Sequence, residues 1–415
     1  MTPLPRMRAV SRRMPRPRVA DPERATVEAL ARLDLGGHVR GRRIAVTAGS
    51  RGIRDIVAVL RGTVAHLRAL GAEPLVMAAM GSHGGGTGEG QRRVLEHLGI
   101  TEAAVAAPIS TRMEADVVGH TPGGLAAYCD CVAASCDGIV AVNRLKPHTA
   151  FDEPFGSGLM KMLAVGLGKV EGASQIHRQG PARLPSAIQS IAEVHINRGA
   201  VVAGVAVVEN AYDETARIEA IPPGRLVARE LELYRDAKAL LPGLPVDELD
   251  VLIVDEMGKI YAGTGMDTNV IGRRMIAGLP EPPVPRIRRI VVLRLSPHSE
   301  GNAQGLGLAD LTTQRLVDAM DRAVTYKNTI TSTFLNRGAI PVTLPSDREA
   351  IAVALDTLGL ADIRRAAVLR IPNTLHLDRV LASDSVIERL AGRPDVEIGP
   401  EVPWAFAGDG WLADL

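Results

Sequence analysis

Two histidines in separate loops are the residues best suited to acid–base chemistry. His83 lies in a run of glycines, and His148 directly follows Pro147. An imidazole titrates near pH ~6.5, so a pair of them can act as acid and base in turn. Either histidine alone is typical of a solvated loop residue. Two imidazoles delivered to the same edge of one sheet are a stronger indication of a catalytic site.

A lysine and an arginine add candidate contacts for a cofactor and a substrate. Lys161 stands between two methionines in an apolar stretch, where desolvation would lower the pKa of its amine and make it nucleophilic. Snorkelling of the side chain to the surface is the alternative. Arg51 follows a predicted strand, and its guanidinium suits a carboxylate or phosphate, unless it is simply solvated. His177 by itself is typical of a surface histidine.

Common phosphate and zinc motifs do not occur. Neither glycine-rich run, 81–90 or 301–307, fits G-x-G-x-x-G, and no P-loop lysine is present, which disfavours an ordinary dinucleotide dehydrogenase or P-loop enzyme. Gly84, Gly85 and Gly86 could still hold a phosphate through backbone amides. No common zinc-ligand spacing occurs either.

The three cysteines, Cys129, Cys131 and Cys136, are too few and too clustered for a disulfide framework, which favours a reducing compartment. Their apolar neighbours indicate buried structural thiols in preference to a soft-metal site.

The elements that must position these residues follow an α/β pattern. Short β-branched runs alternate with glycine-rich turns and amphipathic stretches, which predicts mostly parallel sheets. Strands are predicted at 44–47, 75–80, 138–143 and 201–208, a hairpin at 116–128, and a helix at 156–165 that carries Lys161. Ligands bind beyond the carboxyl ends of parallel strands, where the candidate loops lie.

A proline- and glycine-rich break predicts two layered α/β domains, an N-terminal one at 1–245 and a Rossmann-like C-terminal one at 246–415, with the active site in the cleft between them. In the second, a strand at 290–295 precedes a glycine-rich loop and a helix capped by Asp310. A capping box from Ser346 to Glu349 precedes a helix that ends at Gly359.

Overall charge excludes some classes of partner. Among 415 residues, 48 Lys and Arg balance 47 Asp and Glu, so the net charge of +1 provides no field for nucleic acid or an acidic membrane. No apolar run reaches the ~20 residues of a membrane span. The arginine-rich first twenty residues lack an apolar signal segment, which predicts a cytoplasmic protein with a poorly ordered or edge-packed arm.

Together these residues resemble the nickel-dependent lactate racemase superfamily, in particular a less studied branch of it. Members racemise or epimerise 2-hydroxy acids with a nickel-pincer nucleotide. The resemblance extends from about Arg43 to Gly180 and rests on a turn, two histidine loops and one spacing: Ser50-Arg51-Gly52, Gly81-Ser82-His83, Lys146-Pro147-His148, and the interval from Lys161 to His177.

The resemblance implies a role for each residue. Lys161 would tether the cofactor, pyridinium-3-thioamide-5-thiocarboxylic acid mononucleotide, made by dedicated biosynthesis proteins, and His177 would ligate its nickel, a metal suited to sulfur and imidazole ligands. His83 and His148 would exchange the hydroxyl proton on opposite sides of the substrate carbon while its hydride passes to the pyridinium ring and back. Arg51 would grip the carboxylate.

The sequence departs from the lactate-specific members in two places. The interval between His148 and Lys161 is three residues longer and carries Asp152 and Glu153. No acidic residue precedes the arginine turn. An acidic insertion repels a second carboxylate and accepts hydroxyl donors, which favours a longer or polyhydroxylated acid over a diacid.

In the second half, Asp267 and Asn269 lie in a loop, 263–269, that resembles one kept in the less studied branch, and they could bind substrate hydroxyls. A plain turn is the alternative for this loop.

Two other functions are consistent with the same residues. His83, His148 and His177 could form a three-histidine site for a hydrolytic metal such as zinc, without an organic cofactor. The chain could also be a non-catalytic ligand-binding homologue. The sequence identifies neither the hydroxy acid nor the oligomeric state.

Overall fold

A computed structural model describes residues 3–50, 52–151 and 155–415. The chain forms two compact units. The N-terminal unit is Arg16–Leu241, and the C-terminal unit is Pro242–Leu415 together with the segment before Arg16.

Strands are numbered in chain order: β1 (Met7–Arg12), β2 (Arg43–Ala48), β3 (Glu73–Ala78), β4 (Ile109–Ser110), β5 (Ala115–His120), β6 (Ala126–Asp130), β7 (Gly138–Arg144), β8 (Val201–Glu209), β9 (Thr215–Ile221), β10 (Glu248–Met257), β11 (Arg286–Leu295), β12 (Leu311–Thr313), β13 (Val342–Leu344), β14 (Val368–Ile371), β15 (Arg379–Ser383) and β16 (Val396–Val402).

The α-helices are α1 (Pro22–Ala31), α2 (Gly36–Val39), α3 (Ile56–Ala69), α4 (Gly88–His97), α5 (Glu102–Val105), α6 (Cys131–Ala134), α7 (Leu159–Lys161), α8 (Lys169–His177), α9 (Leu184–Asn197), α10 (Leu226–Leu240), α11 (Thr268–Ile271), α12 (Gln314–Asp318), α13 (Arg322–Ser332), α14 (Asp347–Asp356) and α15 (Asp384–Leu390).

The N-terminal unit is built on one sheet with the strand order β4-β3-β2-β7-β8-β9. All of these strands run parallel except β9. Val46 of β2 and Leu60 and Leu67 of α3 are fully buried in the core beside the sheet, and each such side chain contributes roughly 1.5–3 kcal/mol. The hairpin β5–β6 forms separately, as the sequence predicts.

The C-terminal unit has a sheet with the order β13-β12-β11-β10-β14-β15-β1-β16. Its first five strands are parallel, and the other three pair antiparallel. Apolar clusters flank this sheet on its two faces. The predicted α/β class, with two units and mostly parallel sheets, is confirmed.

The first residues of the chain differ from the predicted arm. Strand β1 pairs with both β15 and β16, so this segment belongs to the C-terminal unit and not to a domain spanning 1–245. Met7 and Val10 are each 1% exposed. The surrounding arginines obscure this apolar pair, which is the reason that the sequence indicates only a basic arm. The division between the units falls after Leu241.

One predicted helix cap is wrong and another is confirmed. Thr313, not Asp310, caps α12, since its hydroxyl accepts a hydrogen bond from the backbone of Leu316. Strand β12 intervenes, and the Asp310 carboxylate instead accepts the Ile290 backbone N–H at 2.7 Å. Ser346 caps α14 as expected, accepting the Glu349 N–H at 3.3 Å. No helix in the described ranges is long and apolar enough to cross a membrane.

Candidate active site

Three neighbouring parallel strands deliver the candidate residues to one edge of the N-terminal sheet. Strand β2 lies between β3 and β7. Ser50 follows β2, His83 follows β3, and His148 follows β7. After β2 the chain continues to β3, which pairs with one edge of β2, while β7 pairs with the other edge of β2. This is the topological switch point at which open α/β sheets bind ligands.

His83 is exposed, and its ring is held by the loop that follows β2. Its Nδ1 atom is hydrogen-bonded to the hydroxyl of Ser50. The first two predicted loops therefore meet through their side chains. Serine in a loop is too common for the sequence to identify it as a partner of His83.

The glycines after His83 form a tight turn against the start of α4. Gly84 has a φ of 66°, and a Cβ atom there would lie 2.6 Å from the Gln91 nitrogen. Gly85 and Gly86 also have positive φ values, 69° and 67°. Only glycine fits this conformation without strain. A Cβ atom at Gly85 would meet nothing within 4 Å, so this side of the turn is open.

His148 is held by its own loop. Its Nδ1 atom accepts a hydrogen bond from the Ala150 backbone N–H at 3.1 Å, and its ring stacks on Phe151 with 4.0 Å between centroids. Since Nδ1 accepts, the neutral ring carries its proton on Nε2. The structure thus selects both the tautomer and the plane of this imidazole.

Lys161 ends the short helix α7 and is followed by one π-helical turn, Met162–Gly166. Such turns occur frequently at functional sites. The turn contacts two of the candidate loops. The Gly166 carbonyl accepts the Gly81 N–H at 3.2 Å, and the Met162 methyl lies 3.2 Å from the position of a Cβ at Gly49. The segment that follows Lys161 therefore packs against the loops of Ser50 and His83.

A buried glutamate, which the sequence did not single out, supports α7. Glu230 of α10 is 1% exposed and accepts the Met160 backbone N–H at 2.9 Å. Burial raises the pKa of Glu230 to about 8, and the backbone N–H groups of Met160 and Leu159 oppose that shift. Asn143 of β7 donates to the Gly158 carbonyl at 2.8 Å, so two polar side chains fix the start of the helix that carries Lys161.

His177 ends α8 and is partly buried. Burial lowers its pKa, and the positive charge of Lys161 lowers it further. The two residues are therefore close enough to interact electrostatically. A lowered pKa keeps the imidazole neutral at pH 7, the form that binds a metal ion.

Three further predicted residues lie outside the described residues: Arg51, Asp152 and Glu153. Asp267 and Asn269 belong to the C-terminal unit. Asp267 is 4% exposed and caps α11, accepting the backbone N–H of Asn269 at 3.0 Å. The side-chain amide of Asn269 also donates to this carboxylate at 3.0 Å.

The alternative three-histidine metal site does not form. Within residues 3–50, 52–151 and 155–415, no group of three or more His, Cys, Asp or Glu side chains could hold a metal ion. His83, His148 and His177 all lie in these ranges. The cysteine cluster likewise forms no metal-binding group within these ranges. Cys129 is buried, and burial raises the pKa of its thiol to about 12.

Solved structures with a similar fold include the lactate racemase apoprotein from Thermoanaerobacterium thermosaccharolyticum. It matches with a TM-score of 0.54 and 12% identity over 87% of this chain and 93% of that chain. A protein from Thermotoga maritima matches with a TM-score of 0.50 and 16% identity over 86% of this chain and 98% of that chain. No protein-family model and no curated protein matches the sequence. Such low identities carry information on the fold alone, and the chain therefore has a lactate racemase-like fold.

Proposed function

We propose that this protein is an isomerase that inverts C2 of a 2-hydroxy acid. The observation that carries the proposal is the convergence of the Ser50, His83 and His148 loops at three adjacent strand ends, with the segment after Lys161 packed against two of them. The lactate racemase-like fold supports the same class of reaction.

The two histidines are the proposed proton carriers. In the neutral ring of His148 the Ala150 N–H occupies the Nδ1 lone pair and Nε2 carries the proton, so His148 accepts a proton at Nε2 only after its ring leaves Ala150 and takes the tautomer with its proton on Nδ1. His83 is coupled to the Ser50 hydroxyl, which can accept or donate as the ring changes its protonation state. One imidazole accepts the hydroxyl proton of one enantiomer, and the other returns a proton on the opposite face. Each such group typically contributes 10²–10⁴-fold.

Recognition of the substrate is assigned to residues other than the two histidines. Arg51 binds the carboxylate through its guanidinium fork, a geometry that holds C2 in one place during inversion. Asp152 and Glu153 favour a longer or polyhydroxylated acid, because carboxylates accept hydroxyl donors and repel a second carboxylate. Asp267 and Asn269 are further candidates for hydroxyl binding.

The residues present fit a nickel-pincer nucleotide. His177 combines partial burial with a lowered pKa, so a neutral imidazole is available as a nickel ligand. Lys161 supplies an amine that interacts electrostatically with this histidine and would tether the nucleotide. The open turn of Gly84, Gly85 and Gly86 would hold its phosphate. When bound, the cofactor supplies a hydride acceptor; biosynthesis proteins would provide it in the cytoplasm.

Intact mass spectrometry tests the tether. Protein co-expressed with the cofactor biosynthesis proteins is expected to carry an adduct of nucleotide mass that peptide mapping places on Lys161 and that Lys161→Ala lacks. Lys146→Ala is a matched control, since Lys146 lies in the His148 loop and should leave the adduct in place. An unmodified Lys161 together with stoichiometric zinc would contradict the proposal.

A further inference from the structure

Three fully buried polar side chains form a connected network next to the His83 loop. Asp130, Lys169 and Gln91 are each 0% exposed. Asp130 Oδ2 lies 2.8 Å from the Lys169 Nζ atom, which in turn lies 3.5 Å from Gln91 Oε1. The roles of the proposed site residues do not explain this set.

Burying an ion pair completely is unfavourable unless the geometry is good and the remaining polar atoms have partners. The Asp130 carboxylate also accepts the backbone N–H groups of Val132 and Ala133, at 2.8 and 3.2 Å. Lys169 adopts a φ of 51°, a strained conformation for a residue with a side chain. Strain of this kind persists only where the surroundings enforce it, and it is concentrated at functional sites.

The Lys169 ammonium determines how Gln91 is oriented. An ammonium group has only donors, so Gln91 must turn its oxygen toward Lys169 and its NH₂ group away from it. That NH₂ group donates to the Gly81 carbonyl at 2.8 Å and to the His83 carbonyl at 3.3 Å. The two N–H bonds of one amide thus fix the backbone on both sides of Ser82.

The same ammonium connects this loop to other parts of the site. Lys169 Nζ donates to the Ala78 carbonyl at 2.6 Å, at the end of β3. Lys169 is also the first residue of α8, and His177 is the last. One buried cation therefore joins the end of β3, the amide that holds the His83 loop and the helix that presents His177.

We propose that Gln91 is a positioning residue for His83 and that the Asp130–Lys169 ion pair sets its orientation. The catalytic meaning of this role rests on the proposed function, whereas the positioning itself does not. Gln91 fixes the backbone from which the imidazole reaches the Ser50 hydroxyl.

Gln91→Glu is the test, because it keeps the side chain's size and an oxygen facing Lys169 but removes the N–H donors to the loop. In the apoprotein we expect the ¹H–¹³C resonance of His83, assigned by its loss in His83→Ala, to shift and to titrate at a different pH from the wild type. In the cofactor-loaded enzyme we expect kcat to fall about 10–100-fold with KM little changed.

Gln175→Glu is the matched control. Gln175 of α8 forms a comparable amide bridge to the backbone, donating to the Ala126 carbonyl at 2.8 Å, but this bridge holds β6 and not the His83 loop. The His83 resonance of the Gln175→Glu variant should match that of the wild type. If Gln91→Glu does not fold, Gln91→Met, which is uncharged and of similar length, is measured in its place.

A wild-type His83 titration in the folded Gln91 variant overturns the positioning role, whatever the activity. If the titration changes but wild-type protein inverts no hydroxy acid, the positioning role stands and the proposed function fails. If the wild type is active and the variant retains both its kcat and its His83 titration, the positioning role alone is wrong.

Discussion

The proposed site histidines are held in different ways, so we expect their substitutions to remove different properties of the protein. His83 and His148 each make a hydrogen bond through Nδ1, to Ser50 and to the Ala150 backbone, and their proposed task is proton transfer. His177 is the proposed nickel ligand, and burial and the charge of Lys161 lower its pKa. A substitution that stops proton transfer should therefore not release the metal.

We expect His83→Ala and His148→Ala each to lower the rate of enantiomer interconversion about 10²–10⁴-fold while nickel content stays at the wild-type level. His177→Ala should lose nickel in the same elemental analysis. Wild-type rates in both loop variants would refute the acid–base assignment.

His195 of α9 should make the N-terminal unit acid-sensitive. It is 0% exposed, and burial followed by the charge of Arg198 lowers its pKa to about 4. The folded state thus favours the neutral ring. This stabilisation is complete above the unfolded pKa of ~6.5 and is lost as the pH falls toward 4.

From pH 7 to pH 5 we expect His195 to reduce the free energy of unfolding by about 2 kcal/mol. Hydrogen exchange of the α9 amides, in wild type and in His195→Phe, measures this loss. An equal pH dependence in the two proteins would show that another group is responsible.

At the scale of elements, the short helix α7 depends on a partner from α10. The raised pKa of Glu230 means that the folded state holds its proton up to about pH 8, whereas the unfolded chain releases it near pH ~4.5. The stability that Glu230 provides is therefore complete below pH ~4.5 and declines as the pH rises through 8.

We expect the N-terminal unit to be about 2 kcal/mol less stable at pH 8 than at pH 6 through this group alone, and Glu230→Gln to remove that difference. Hydrogen exchange of the Met160 and Lys161 amides at the two pH values is the measurement. Glu230→Ala, which leaves the Met160 N–H without its acceptor, should cost about 1–3 kcal/mol at pH 6 and less at pH 8, where the wild type has lost part of its stability. A pH dependence retained in Glu230→Gln would contradict the assignment.

At the scale of the whole molecule, the first strand contributes to the C-terminal unit. Met7→Ala should lower the free energy of unfolding of the C-terminal unit by about 2–5 kcal/mol, because the Met7 side chain is buried. Arg6→Ala should cost less than about 1 kcal/mol, since Arg6 forms an exposed ion pair with Asp384. Trp404 and Trp411 are the two tryptophans and both lie in this unit, so denaturation followed by their fluorescence reports it directly. Equal losses in the two variants would contradict the buried role of β1.

Sequence periodicity predicted the parallel strands of the N-terminal unit and the loops that follow them, because β-branched and apolar runs such as 44–47 between glycine turns have few alternatives. It did not predict contacts that depend on tertiary packing. The pairing of Ser50 with His83, the burial of Lys169 and the support from Glu230 involve polar residues typical of a surface, and only the folded chain brings their partners together. The cap at Thr313 was missed because Asp310 has an equally suitable side chain.

The fate of the C2 hydrogen tests the proposed reaction most directly. Cofactor-loaded protein is supplied with single enantiomers of 2-hydroxy acids, from lactate to aldonates, deuterated at C2 in ordinary water, and the product is analysed by chiral chromatography with mass detection. We predict inversion of at least one acid with the deuterium retained at C2, because in the proposed reaction the hydrogen leaves and returns as a hydride and does not exchange with solvent. Product that has lost its deuterium, or no inversion of any acid by protein with full nickel content, would contradict the account.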